Sequence, residues 1–146
     1  MILVDTNLLL YAGTRGIPEH DRARKWLDAQ LGGSSRVGLP WHSLLGFVRL
    51  ASNSRAFARP LTVAAAWRLA RLWLAADNAW IPLPTERHAD VLDSLFTSAS
   101  VGSRGVMDIH LAALAIEHGL TLCSNDQGFA QFPGLQWMNP LAPDRS

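Results

Sequence analysis

Three aspartates stand where their side chains could do chemistry. Asp5 closes the apolar opening "MILVDTN", Asp108 lies in "VMDIHLAALAIEHG", and Asp126 follows "LTLCS" in the polar stretch "NDQG". Each has an ordinary structural explanation: Asp5 as a turn residue behind a strand, Asp108 as a helix cap, Asp126 as the start of a tight turn. Together they have another. Three carboxylates gathered at one edge repel each other in a partly desolvated cleft, and a divalent cation relieves that repulsion. Oxygen ligands select a hard ion, Mg²⁺ or Mn²⁺, because the chain has a single cysteine and no closely spaced histidine pair to make a Zn²⁺ site. His110 is two residues from Asp108, so on a helix the two side chains diverge and His110 is left out of the ligand set. Asn7 and the pair Ser124-Asn125 supply hydrogen-bonding groups beside the acids.

The elements that must position these residues are short and alternate in type. "MILV" is a β-branched apolar run bounded by "DTN", the pattern of a strand buried on both faces. Residues 19 to 31 place Ala23, Trp26, Leu27 and Leu31 at helical spacing before "GG", and "VGLP" at 37 to 40 reads as a brief strand. Residues 43 to 52 form a helix expected to bury Leu44, Leu45, Phe47, Val48 and Leu50; residues 61 to 76 form another, with an apolar face of Trp67, Leu69, Leu72 and Trp73. "AWIPL" at 79 to 83 is a third strand, and Thr85 caps a helix over 85 to 96. A small-residue loop at 97 to 105 leads to the helix at 106 to 119, closed by Gly119, then to a fourth strand at 120 to 124 and an edge strand at 135 to 137. Such alternation predicts an α/β domain with a mostly parallel central sheet flanked by helices. In an open parallel sheet ligands bind beyond the carboxyl ends of the strands, which selects Asp5 and Asp126, with Asp108 at the start of the intervening helix.

Composition bounds the function. At 146 residues the chain fits one domain, here placed at 1 to 141 with a short tail at 142 to 146. A hydrophobic fraction of 49% against 17% charged residues excludes disorder for most of it. The net charge of +1 excludes a broad cationic surface, so any nucleic-acid contact is local. Cys123 reads as a small core residue in a reducing compartment, and no apolar stretch approaches the roughly 20 residues of a membrane span, so a cytoplasmic protein is expected.

"MILVDTNLLLYA", "LPWHSLLGFVRLASNSR" and "MDIHLAALAIEHGLTLCSNDQGFAQFPGLQWMNPL" together resemble a PIN domain of the VapC type, the toxin half of a VapBC toxin-antitoxin pair. The resemblance covers nearly the whole chain in order. It implies a Rossmann-like PIN fold and a metal-dependent endoribonuclease, dimeric and held inactive by a cognate VapB-type antitoxin. Carried over residue by residue, Asp5, Asp108 and Asp126 match the family's metal ligands, Asn7 the polar position of "DTN", and Ser124-Asn125 the pair ahead of the last acid. Two positions depart from the pattern. Gly46 stands where the family usually has a Glu, and Gly128 where a second acid often follows the last Asp. Asp93, Glu86 and Ser43 are the candidates to replace the missing carboxylate.

The chemistry so implied is hydrolysis of an RNA phosphodiester by water activated at Mg²⁺ or Mn²⁺, with no nucleophilic side chain. Arginine supplies 12 of the 13 Lys and Arg residues, and Arg15, Arg49, Arg55, Arg59 and Arg104 are candidates to meet phosphate or unpaired bases. Trp67, Trp73 and Trp80, with the helix at 61 to 76, suggest an apolar groove or dimer face. Two rivals remain: a PIN-fold module that grips RNA or antitoxin but cleaves weakly, motivated by Gly46, and a phosphatase using Asp5 as nucleophile, which Asn7 disfavours because such enzymes place a second acid there.

Overall fold

The computed structural model describes residues 1 to 143, so the tail expected at 142 to 146 falls largely outside them. Five short strands, β1 (Ile2–Val4), β2 (Val37–Gly38), β3 (Ala79–Trp80), β4 (Thr121–Cys123) and β5 (Trp137–Met138), form one sheet of order β3-β2-β1-β4-β5. Every pairing is parallel. Between them run α1 (Thr6–Gly13), α2 (His20–Leu31), α3 (Trp41–Ala51), α4 (Val63–Leu74), α5 (His88–Ser98) and α6 (Val106–His118). The α/β class and the parallel sheet expected from the sequence are what the chain adopts.

Both faces of the sheet are covered, and the strands show it by alternation. Leu3 and Leu122 pack into a cluster with Leu95, Ile109, Leu111 and Phe129 under α5 and α6. Their neighbours Val4 and Cys123 point the other way, into a cluster with Leu8, Leu27, Phe47 and Trp73 under α1 to α4. Side chains one residue apart on a strand face opposite sides, so a strand covered on both must be apolar throughout, as "MILV" and "LTLC" are.

Several boundaries differ from those read off the sequence. The first helix, α1, follows β1 after one residue; its "TNLLLYAG" run is apolar without a polar face, so periodicity does not disclose it, and its cap is Asp5 itself. Helix α5 starts at His88 rather than Thr85, whose hydroxyl accepts from the Arg87 amide at 3.1 Å instead of capping a turn of its own. On α3, Leu45 is 55% exposed rather than buried. On α4 the buried stripe is Ala66, Ala70 and Trp73, while Trp67 and Leu72 face out, because small residues let the helix sit close to Phe47. Gly119 ends α6 in the left-handed region at φ 65°, as expected of that position.

Strand order fixes where a site can form. From β1 the chain moves outward through β2 and β3, then returns to β4 on the other side of β1. The connections therefore diverge between β1 and β4, and a crevice opens at their carboxyl ends. Asp5 follows β1 there, and Ser124, Asn125 and Asp126 follow β4.

Candidate active site

The register Val4↔Cys123 brings Asp5 and Ser124 side by side, and the Asp5 amide donates to the Cys123 carbonyl at 3.0 Å. Asp5 is 8% exposed and both its carboxylate oxygens are engaged: Oδ1 accepts from the Thr6 amide at 2.7 Å, Oδ2 from the Ser124 hydroxyl at 2.7 Å. Ser124 Oγ in turn accepts from Asn7 Nδ2 at 3.2 Å and from the Asp126 amide at 3.0 Å. Asn7 Oδ1 receives the Asn125 amide at 3.3 Å. The polar groups singled out in the sequence thus form one network that locks Asp5 and ties the β1 end to the β4 end.

Tyr11 and Asn139 belong to the same network and were not singled out. Asn139 Nδ2 donates to Asn125 Oδ1 at 2.9 Å, and Asn125 Nδ2 donates to the Tyr11 hydroxyl at 3.5 Å. Asn139 had a weak signal in its place just beyond the last strand; Tyr11, inside an unrecognised helix, had none.

Asp126 is exposed, and its Oδ1 accepts the Gly128 amide at 2.8 Å. Asp108, in the first turn of α6, is half-buried. Burial and the negative charges of Asp5 and Asp126 push it up to about 6, with no hydrogen bond among the described residues to oppose them. Asp5 is also raised, chiefly by burial, against the hydrogen bonds from Ser124 and Thr6 and the charge of His42; Asp126 adds to the rise. The three acids therefore act on one another across the crevice. Among the described residues, however, no three His, Cys, Asp or Glu side chains stand close enough to form a ready-made cage for a metal.

That donor set still suits a hard cation. It offers oxygens only, it is short of positive charge, and a loosely spaced group of carboxylates matches an ion that keeps several of its own waters. The remaining candidates divide. Arg49 lies on the α3 face that lines a cavity of about 350 Å³ with Trp41, His42, Leu45 and Gly46. Arg15 and Arg59 share a separate cavity of about 690 Å³ at the C-terminal end of α1, on the order of 12 Å from Asp5 by the helix rise. Asp93 and Glu86 are exposed on or beside α5 and are not among the charges acting on Asp5 or Asp108. Ser43 is fully buried with an unpartnered hydroxyl.

Comparison with known proteins gives this geometry its context. The family model described as "PIN domain" matches residues 2–135. Ribonuclease VapC37 of Mycobacterium tuberculosis is 44% identical over 142 residues, covering 97% of this chain and 99% of that protein. The chain belongs to the PIN domain family, in its VapC branch. Its backbone also matches VapBC-1 from nontypeable Haemophilus influenzae (TM-score 0.67, 16% identity, 97% of this chain and 100% of that one). A toxin-antitoxin complex from Klebsiella pneumoniae matches with a TM-score of 0.57 at 20% identity, over 96% of this chain and 98% of that one.

Within that family frame, the two glycines have physical reasons. A Cβ at Gly46 would lie 2.8 Å from Thr6 Oγ1 and 3.0 Å from Thr6 Cγ2, so a side chain at 46 requires the Thr6 side chain to move. The Thr6 side chain thus opposes a carboxylate at 46. A Cβ at Gly128 would lie 3.1 Å from Asp126 Oδ1, against the oxygen that the Gly128 amide already holds.

Gly46→Ala is expected to destabilise the fold by about 1–3 kcal/mol through this overlap, outweighing the roughly 1 kcal/mol alanine gains over glycine in a helix. In a Thr6→Ala background the sign reverses, since the atoms at 2.8 and 3.0 Å are gone; urea unfolding of the four proteins reads the coupling, and additive effects would refute the contact. A second expectation concerns Asp108. Because its folded value lies above the ordinary 3.8, its contribution to stability is full below about pH 4 and is lost as pH rises through about 6. Asp108→Asn should therefore melt above the parent at pH 7.5, with the gap closing at pH 4; an equal gap at both would contradict the shift.

Proposed function

We propose that the chain is an endoribonuclease, the toxic component of a toxin-antitoxin pair, and that it cleaves RNA phosphodiesters with the help of Mg²⁺ or Mn²⁺. The observation that carries the reading is the convergence of Asp5, Asp108 and Asp126 at the β1/β4 crevice, with Asp108 raised by its two neighbours. The relatives named ribonuclease VapC, similar over nearly their full length, support the same activity.

Asp5, Asp108 and Asp126 would hold the cation, with water completing its shell. When bound, the ion supplies positive charge at the scissile phosphate and makes attacking water more acidic. The chain's own residues do the rest. Ser124 Oγ and the Thr6 amide fix the Asp5 carboxylate in one rotamer while each oxygen keeps a lone pair free. Asn7 steadies Ser124 and the Asn125 backbone, so the donors arrive preorganised. The Gly128 amide turns Asp126 and leaves its Oδ2 open. A covalent role for Asp5 is disfavoured by the same facts: it is buried, and both oxygens are held.

A VapB-type antitoxin is the proposed regulator, supported by the toxin-antitoxin complexes with this fold. The working form is a cytoplasmic homodimer. It is supported by exposed apolar side chains one turn apart on α4, Val63 and Trp67. No helix among the described residues is long and apolar enough to cross a membrane.

Purified protein incubated with RNA in Mg²⁺ or Mn²⁺ should cleave it, chelation should stop cleavage, and Asp5→Asn should lower the rate by at least about a hundredfold. Absence of metal-dependent cleavage by the parent, with RNA or antitoxin binding retained, would instead establish the weakened binding module that Gly46 suggests. Light scattering should give twice the 16.0 kDa chain mass; a monomer at micromolar concentration would remove the dimer from the proposal.

A further inference from the structure

A second cluster of ionisable side chains adjoins the acidic crevice, built from four residues on three helices, His42 on α3, His88 on α5, and His110 and Glu117 on α6. Glu117, near the end of α6, has a side chain with no exposed surface; its Oε1 accepts from the Thr85 amide at 2.9 Å and the Thr85 hydroxyl at 2.7 Å. Its Oε2 meets His88 Nδ1. These hydrogen bonds outweigh the cost of burial and hold Glu117 below its ordinary value, so it is a charged carboxylate. The far nitrogen of the same ring, His88 Nε2, meets His110 Nδ1 at 3.1 Å. His110 then packs edge-on against His42, with ring centroids 6.1 Å apart. His42 opens α3 one turn before Gly46, and its charge reaches Asp5.

The chain Thr85–Glu117–His88 does more than fasten α5 to α6. Apolar residues of similar volume fasten two helices at least as well as a buried ionic group. What the polar chain adds is orientation. His110 has its Nδ1 committed to His88, so Nε2 is the ring nitrogen left to an incoming group. A donor faces an anion when His110 Nδ1 accepts from His88, which leaves the His110 hydrogen on Nε2.

The surroundings say which anion. The cavity of about 350 Å³ beside His42 carries Trp41, 41% exposed, and Arg49. An exposed indole offers a face to an unpaired base, and imidazole and guanidinium donors suit the phosphate attached to it. A folded duplex has no unstacked base to place there. We propose that His42 and His110 form an imidazole pair that receives a phosphate of single-stranded RNA beside the acidic crevice, with Trp41 stacking the adjoining base and His88 and Glu117 as positioning residues. The assignment rests on the nuclease reading, because it places the RNA chain across the same crevice.

The test separates the two. Binding of a fluorescent single-stranded oligoribonucleotide is measured by anisotropy in the Asp5→Asn background, where no cleavage is expected. His42→Ala and His110→Ala should each weaken binding about tenfold, the loss of one hydrogen bond to a charged group, and Trp41→Ala by a comparable factor. His88→Gln and Glu117→Gln should weaken it as well, and in ¹⁵N spectra at fixed pH they should convert His110 from a single Nε2–H tautomer to a mixture. A purely structural tie would lower the melting temperature and leave both the tautomer of His110 and the affinity unchanged, and that result overturns the proposal. Equal RNA affinity in folded His42→Ala and His110→Ala proteins also overturns it, whatever the cleavage assay shows. Conversely, histidine-dependent binding by a parent that never cleaves overturns the nuclease and leaves the imidazole pair standing.

Discussion

The crevice depends on one backbone pairing, that of β1 with β4. Only because Val4 lies opposite Cys123 does the next residue of each strand, Asp5 and Ser124, fall within hydrogen-bond reach across 119 positions of sequence. A slip of β1 by one residue would turn Leu3 toward the cluster that takes Val4, and the Asp5 carboxylate away from Ser124. Apolar burial on both faces of the sheet opposes any such slip. The cores above and below the sheet therefore determine the geometry of the site at its edge.

The ordinary and the functional explanations of the aspartates turn out to be compatible. Asp5 is the N-cap of α1 and Asp126 caps the short 3-10 turn Gln127–Gln131, each satisfying a backbone amide that would otherwise be unpaired. A cap uses one lone pair of a carboxylate, leaving the rest of the group available. Asp108 differs: burial and like charge act on it without a compensating hydrogen bond. Two acids thus stabilise the fold while standing in the crevice. The third is the one whose ionisation the fold resists, and a bound cation would relieve that resistance.

What the sequence discloses and what it hides follow from the range of the interactions. Strands β1 and β4 are legible because burial on both faces demands unbroken apolar runs, and α6 because its length and its Gly119 end are local signals. The edge that gathers Asp5, Ser124 and Asp126 follows from alternation of strands and helices plus the general behaviour of parallel sheets. Helix α1 is hidden because its run "TNLLLYAG" stays apolar around the helix although only Leu8, Leu9 and Ala12 are buried, and the sequence from "MILV" into "LLLYA" reads as apolar chain on both sides of "DTN". The outward turn of Leu45, Trp67 and Leu72 is hidden because helical spacing marks an apolar face without saying which neighbours reach it. His42, His88, His110 and Glu117 are hidden more deeply, since they meet only through the packing of α3, α5 and α6.

Gly46 shows how one packing choice propagates to the chemistry. Without a side chain at 46, α3 settles onto Thr6, the residue whose amide holds Asp5. The Thr6 side chain occupies the space into which a carboxylate at 46 would start. The polar group that α3 does present to the crevice comes one turn earlier and is an imidazole, which offsets the charge of Asp5 instead of adding to it. A cation held by three carboxylates and water carries more residual positive charge than one held by four. It therefore leans more heavily on the oxygens of its substrate. On the proposed nuclease reading, the phosphates of RNA would supply part of the negative charge that α3 does not provide.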